Sequence, residues 1–150
     1  MSYTVDVFDG LAQLIANAGI GTYHADGSAY ASTETGIVYK AILPSPDRLI
    51  TITPYVLTDD PSQPLGRLGA QIRVRGTTDP RTCDQSADDI FTLLHGLINT
   101  QLGSVHAVQI LRTSSVSMGQ DDLKRWDRAD GYTIDADFPA TANRPDGGFW

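Results

Sequence analysis

The sequence is poor in the residues that most directly announce a chemistry. It has one cysteine, Cys83, few basic side chains and few aromatics. A single cysteine excludes an internal disulfide framework. Its place on the apolar stripe of a helix marks it as a small buried hydrophobe, with only Arg81 nearby to favour a thiolate. No apolar run approaches the roughly 18 residues that a membrane-crossing helix needs. The stretch 1–10 carries Asp6 and Asp9 without a basic region, so neither a membrane protein nor a secretory precursor is expected. Lys and Arg number 11 against 18 Asp and Glu, a net charge of −7. Tight binding to a phosphate backbone depends on basic groups displacing counterions, so that function class is disfavoured and the acidity serves solubility. Phosphate-cradling glycine loops are missing too. Gly19-Ile20-Gly21 lacks a third glycine and follows a helix where a dinucleotide site needs a strand.

What is present is patterned for a globular fold. At 150 residues with 41% apolar side chains, the chain is long enough for one packed core. Val7, Phe8, Leu11, Leu14, Ile15 and Ala18 recur at helical spacing, predicting a helix over 6–18 closed by Gly19, with Gly10 weakening its first turn. A second helix is capped by Asp79 with Pro80 at its first position and runs to about residue 99. Its buried stripe is Cys83, Ala87, Ile90, Phe91, Leu94, Leu97 and Ile98, and Asp84, Asp88 and Asp89 near its start suit the macrodipole. Strands are expected over 37–43, 48–57, 68–75, 104–112 and 131–138. Pro44-Ser45-Pro46-Asp47 reads as a tight turn, and Pro54 places the second strand at a sheet edge or bulge. The expected fold class is α+β: an antiparallel or mixed β-sheet of about five strands, with two main helices packed on one face. The whole chain reads as a single domain, with a flexible loop over 19–36, a charged loop over 113–130 and a mobile tail over 139–150.

No catalytic constellation is visible. His24, His95 and His106 fall on a loop, a helix and a strand without metal-ligand spacing, and His95 reads as a partly buried, hydrogen-bonded side chain. The acidic set Asp121, Asp122, Asp127, Asp135 and Asp137 is the best candidate for a cation-dependent hydrolase, if the loop folds over the strand. Arg73 and Arg75 on one strand, with Asp135 and Asp137 on another, are either cross-strand ion pairs or a contact between subunits. Asp121, Asp122, Lys124, Arg125 and Trp126 tip the charged loop. Trp126 is a rigid aromatic anchor for a partner, buried only on assembly, or else packs on its own sheet.

Several segments, in order, resemble one family. Leu43-Pro44-Ser45-Pro46-Asp47-Arg48-Leu49-Ile50-Thr51-Ile52-Thr53-Pro54-Tyr55 is similar to the start of a strand in siphophage minor capsid, or tail terminator, proteins. Gln71-Ile72-Arg73-Val74-Arg75-Gly76, then Ala87-Asp88-Asp89-Ile90-Phe91 and Leu94-His95-Gly96, resemble it as well. So does Arg125-Trp126-Asp127-Arg128-Ala129-Asp130-Gly131-Tyr132-Thr133-Ile134, the approach to a last long strand. The resemblance implies a virion protein, assembled in the host cytoplasm, that caps the growing tail tube, stops its polymerisation and presents a head-attachment surface. It implies partners: further copies of itself in a six-fold ring, the tail tube protein and head-neck connectors, with DNA crossing the channel unbound. It implies no cofactor and no catalytic residue. A ring needs two different complementary patches on each subunit. For those, the sequence offers Arg73, Arg75, Asp121, Asp122, Lys124, Arg125, Trp126, Asp135 and Asp137. Another neck or head completion protein is the second reading.

Overall fold

The computed structural model describes residues 2–63 and 65–144. The elements follow as α1 (Tyr3–Asn17), β1 (Gly36–Tyr39), β2 (Leu49–Thr58), β3 (Leu65–Arg75), α2 (Pro80–Leu94), β4 (Ile98–Leu102), β5 (Val105–Gln120) and β6 (Trp126–Asp137). One mixed sheet takes the order β1-β2-β3-β6-β5-β4, where only β1 and β2 run parallel. The expected α+β class stands, but the described residues form six strands, not about five.

Local chemistry sets the helix ends. The Ser2 hydroxyl accepts from the Val5 amide at 3.3 Å, so α1 starts a turn earlier than its apolar stripe suggests. Gly19 follows its end at φ +77°. Gly10 is there for space: a Cβ would stand 2.7 Å from Leu102 Cδ2, where α1 crosses β4. Asp79 caps α2 through the Arg81 amide at 3.1 Å, with Pro80 next, as its sequence predicts. The helix stops at Leu94, not near residue 99. Gly96 takes φ +86°, a left-handed turn that glycine adopts without steric penalty, and the chain leaves as β4. Ile98, assigned by spacing to the buried stripe, is consequently 58% exposed. His95, also past the helix, is exposed, not partly buried, although its Nδ1 accepts from the Arg112 amide at 3.0 Å.

Both helices pack on one face of the sheet and share one core. Helix α1 touches β1 and β2 at one edge and β4 and β5 at the other, while α2 lies over β3, β5 and β6. A sheet whose two edges meet one helix must curl, and here it forms a half-barrel around α1. Leu94, Ile72 and Ile134 are buried at its centre. Cys83 is buried as expected, its thiol donates to the Val74 carbonyl at 3.2 Å, and burial pushes its pKa up to about 11.

Pro54 lies where the ladder can spare its donor. The carbonyls of Arg48 and Ile52 accept from β1 or its flanks, so alternation turns Pro54 to the same side, just past the end of β1. The segment 19–36 is irregular but folded against β1. Thr22 bridges Gly36, and the Tyr30 hydroxyl donates to the Ile37 carbonyl at 2.6 Å. The tail departs from expectation in its described part. Arg144 is buried, pairs with Asp59 and donates to the Asp60 carbonyl at 3.0 Å, tying 141–144 to the β2–β3 connection. The rest of the expected mobile tail, 145–150, lies outside the described residues.

Two predictions follow from this packing. Leu94→Ala should cost about 2 to 5 kcal/mol in denaturant unfolding, because the site sits where helix, sheet and hairpin meet and has little freedom to collapse. Asp6 ties α1 to the β4–β5 turn, accepting from the Ser104 hydroxyl and, at 3.1 Å, the Ser104 amide. These bonds hold its carboxyl below the ordinary value. A depressed native pKa gives stability that is present above the unfolded value, about 4, and lost as pH falls through the native one. Unfolding midpoints measured below about pH 4 should therefore fall more steeply for the natural chain than for Asp6→Ala.

Candidate functional site

The predicted charged loop 113–130 is a β-hairpin. Strand β5 continues to Gln120, β6 begins at Trp126, and only 121–125 turn. Asp121 builds that turn. Its carboxylate accepts from the amides of Leu123 at 3.0 Å and Arg125 at 2.9 Å, and from Arg125 Nε at 2.8 Å. Desolvation raises the Asp121 pKa, but these donors outweigh it and hold the group below its ordinary value. Lys124 closes the turn at φ +61°, leaving Asp122, Leu123 and Lys124 exposed at the tip.

Behind the tip, two buried guanidinium groups clamp the hairpin to the 44–47 turn. Arg125 Nη1 donates to the Pro44 carbonyl at 2.7 Å and meets Asp47 Oδ1 at 3.2 Å. Arg75 donates to the Pro46 carbonyl at 2.7 Å and the Asp47 carbonyl at 2.9 Å. Burial, and then the nearby Arg125 charge, pull the Arg75 pKa down, against the carboxylates of Asp121, Asp127 and Asp47. Beside them, Arg73 binds buried Asp127 through two bonds, at 3.1 and 2.8 Å. The Trp126 amide donates to the Thr77 carbonyl at 3.1 Å, and its ring packs half-buried on the core. Trp126 is thus already seated within the chain, and the reading of a mobile loop that buries it only on assembly is corrected.

Seven of the nine residues put forward by sequence therefore gather at one end of the sheet: Arg73, Arg75, Asp121, Asp122, Lys124, Arg125 and Trp126. Asp135 and Asp137 lie at the other. Strands β3 and β6 are neighbours, but the register sets Asp135 opposite Arg67 and Arg73 opposite Ala129. Asp135 pairs with Arg67 at 2.8 Å and Asp137 with His106 at 3.2 Å. Neither Arg73 nor Arg75 reaches them. The aspartates weighed as a cation site are likewise spread along the hairpin on separate partners, Asp121 on Arg125, Asp127 on Arg73, Asp135 on Arg67 and Asp137 on His106. Among the described residues no three His, Cys, Asp or Glu side chains converge.

The helix-covered face holds a second network. Arg128 binds Asp130 at 2.9 and 3.0 Å and reaches Asp84 and Asp88 of α2, which holds its guanidinium firmly protonated. Charges near the hairpin are thus largely used within the chain.

Sequence reasoning missed the opposite, uncovered face. Thr53, Tyr55, Gln71, Ser114, Val116, Met118, Ala129 and Gly131 line a shallow groove of about 410 Å³ across β2, β3, β6 and β5. Tyr55, Val116 and Met118 stand exposed around it, and small Ala129 and Gly131 form part of its floor. The signal was the alternation of Val116 and Met118 with serines, a strand pattern hidden by the polar composition of 113–120.

Comparison with known proteins agrees with this architecture. A family model described as bacteriophage tail terminator protein matches residues 14–138. A chain of the solved structure "Virion of native gene transfer agent (GTA) particle" superposes with a TM-score of 0.63 at 15% identity. The match covers 91% of this chain and 99% of that one. No curated protein matches the sequence.

The clamp predicts a measurable coupling. Arg125→Met, which keeps the length of the side chain but no donors, strands the Pro44 carbonyl and the Asp121 carboxylate. It should cost about 1 to 3 kcal/mol. Hydrogen exchange should quicken at the amides of 121–126 and of 47–49 together. Faster exchange at the hairpin tip alone would mean that the two segments are not joined.

Proposed function

We propose a capping role for this chain, which belongs to the bacteriophage tail terminator family and is a structural protein of the virion tail. In this reading, copies close into a ring on the end of the tail tube, stop further addition of tube subunits and offer their outer surface to the head. The observation that carries it is the uncovered sheet face beside a rigid hairpin. The helices cover the core half of one side of the sheet, and the clamp ties the hairpin to the 44–47 turn, yet Val116, Met118 and Tyr55 on the other side remain exposed. Exposed apolar groups rimmed by polar ones mark a surface that a partner covers.

The charge distribution suits a channel protein. Most arginines near the hairpin are paired, so little free basic surface is left to hold a phosphate backbone. With a net charge of −7 on each copy, DNA passing close by is repelled and slides. The Arg67–Asp135 and His106–Asp137 pairs are largely exposed and lie at the far end of the sheet from the hairpin tip. They give a ring two chemically different ends, one for the tube and one for the head.

Electron microscopy of purified tail tubes mixed with the protein tests the role. The expected result is extra density at one end of each tube, and no further lengthening when tube subunits are added. Decoration along the sides, or unchanged growth, would overturn it.

A further inference from the structure

Both edges of the sheet are only half covered, and the uncovered halves lie diagonally across it. On one side β1 pairs with 49–52 of β2 and ends, the last bond running from the Lys40 amide to the Ile52 carbonyl at 3.1 Å. From Pro54 to Thr58 that side of β2 has no strand partner among the described residues. On the other side, β4 and its approach bond β5 no further than Ile110, with the Arg112 amide taken by His95. Beyond it, 113–120 pairs only with β6.

The free half of β5 carries none of the devices that usually protect an edge by composition. Thr113-Ser114-Ser115-Val116-Ser117-Met118-Gly119-Gln120 contains no charge and no proline, although free edges are commonly blunted by lysine, proline or brevity. Register shifts flank a regular run at 114–117, which pairs in order with 131–128 of β6. The free half of β2, from Pro54 to Thr58, is also uncharged, with Val56 and Leu57 exposed; Pro54 gives this edge a carbonyl acceptor but no donor.

We infer that the 113–120 edge of β5 pairs with the 54–58 edge of β2 in a second copy of the chain, joining neighbouring subunits by an intermolecular β-ladder. The occupant is a second copy because the chain carries both halves of the joint. Three antiparallel pairings separate β2 from β5, so the two strands run in opposite directions. A neighbour placed alongside in the same orientation therefore offers its β2 antiparallel to the arm, the arrangement with perpendicular, well-directed bonds. Each copy donates one edge and receives the other, which is a heterologous contact that closes when the rotation between copies does. Val116 and Met118 on the uncovered face come against the neighbour's Tyr55 on the same face, covering apolar groups that the isolated chain leaves in water. The clamp at 44–47 and 125 keeps the arm extended before its partner arrives, so little ordering is needed on association.

This joint rests on the ring reading, and cysteine pairs separate the two. Cysteines placed at Val56 and, in turn, at Ser115, Val116 or Ser117 are oxidised in the presence of tail tubes. Buried Cys83, its thiol pushed up to about 11, stays silent. The expected result is a ladder of disulfide-linked multimers for at least one of the three pairs, and none for a control pair of Val5 with Val116. Val116→Lys and Met118→Lys change exposed side chains, so the monomer melting temperature should be unchanged while association weakens at least about tenfold. If the natural chain forms rings but none of the three pairs cross-links and both lysine variants assemble normally, the edge pairing is wrong and the ring stands. If the natural chain forms no ring on tubes, both fail.

Discussion

The hairpin depends on two guanidinium groups buried beneath a turn. Arg75 comes from the end of β3 and Arg125 from the turn just before β6, and both donate into the carbonyls of 44–47. Burying two like charges close together is unfavourable, and each raises the cost of the other. The arrangement stands because several acceptors are already aimed at them and because Asp121, Asp127 and Asp47 supply negative charge nearby. With the clamp made, the long β5–β6 hairpin is an extension of the sheet. Without it, polar residues 113–120 would have little reason to leave water, since they bury almost no apolar area.

The clamp works together with the curl of the sheet. Half of the hairpin, from Val105 to Ile110 and from Tyr132 to Phe138, belongs to the core around α1 and α2. The other half leaves that core, and its inward-facing positions turn from apolar to charged: Arg128 and Asp130 replace what would be the next aliphatic side chains, bound to the edge of α2. One strand thus changes solvent along its length while keeping its ladder. The core secures the monomer, and the projecting half remains unsatisfied only at its edge and outer face.

This division also commits most of the hairpin's charges within the chain. Charged side chains draw attention as candidates for contacts, yet those in the hairpin are mostly committed inside the chain, and Arg75 and Arg125 are almost inaccessible. The accessible and unpaired features are backbone edges and a few apolar side chains among serines. Backbone hydrogen-bonding capacity is present at every residue, so no side chain announces where it is left free.

What the sequence determined by itself was everything set by neighbours within a turn or two. The Asp79-Pro80 cap, Gly19 after the first helix, the alternation from Tyr132 to Phe138 and the burial of Leu94, Ile72 and Ile134 were all legible there, as was the family resemblance. Periodicity and capping are local, and each reports directly on one face or one end of an element. What only the tertiary structure decided depended on partners far along the chain. Whether 113–120 is loop or strand is settled by 126–131 across the ladder and by the 44–47 turn beneath Arg125, with only the short Val116 and Met118 alternation as a local sign. The same holds for the register that pairs Arg67, not Arg73, with Asp135, and for the end of α2 at Leu94, where a strand-forming segment took Ile98 out of the stripe. A side chain's residue type limits what it can bond. Which bond it makes is chosen by the fold, because the competing partners lie close in space only after the sheet has closed around its helices.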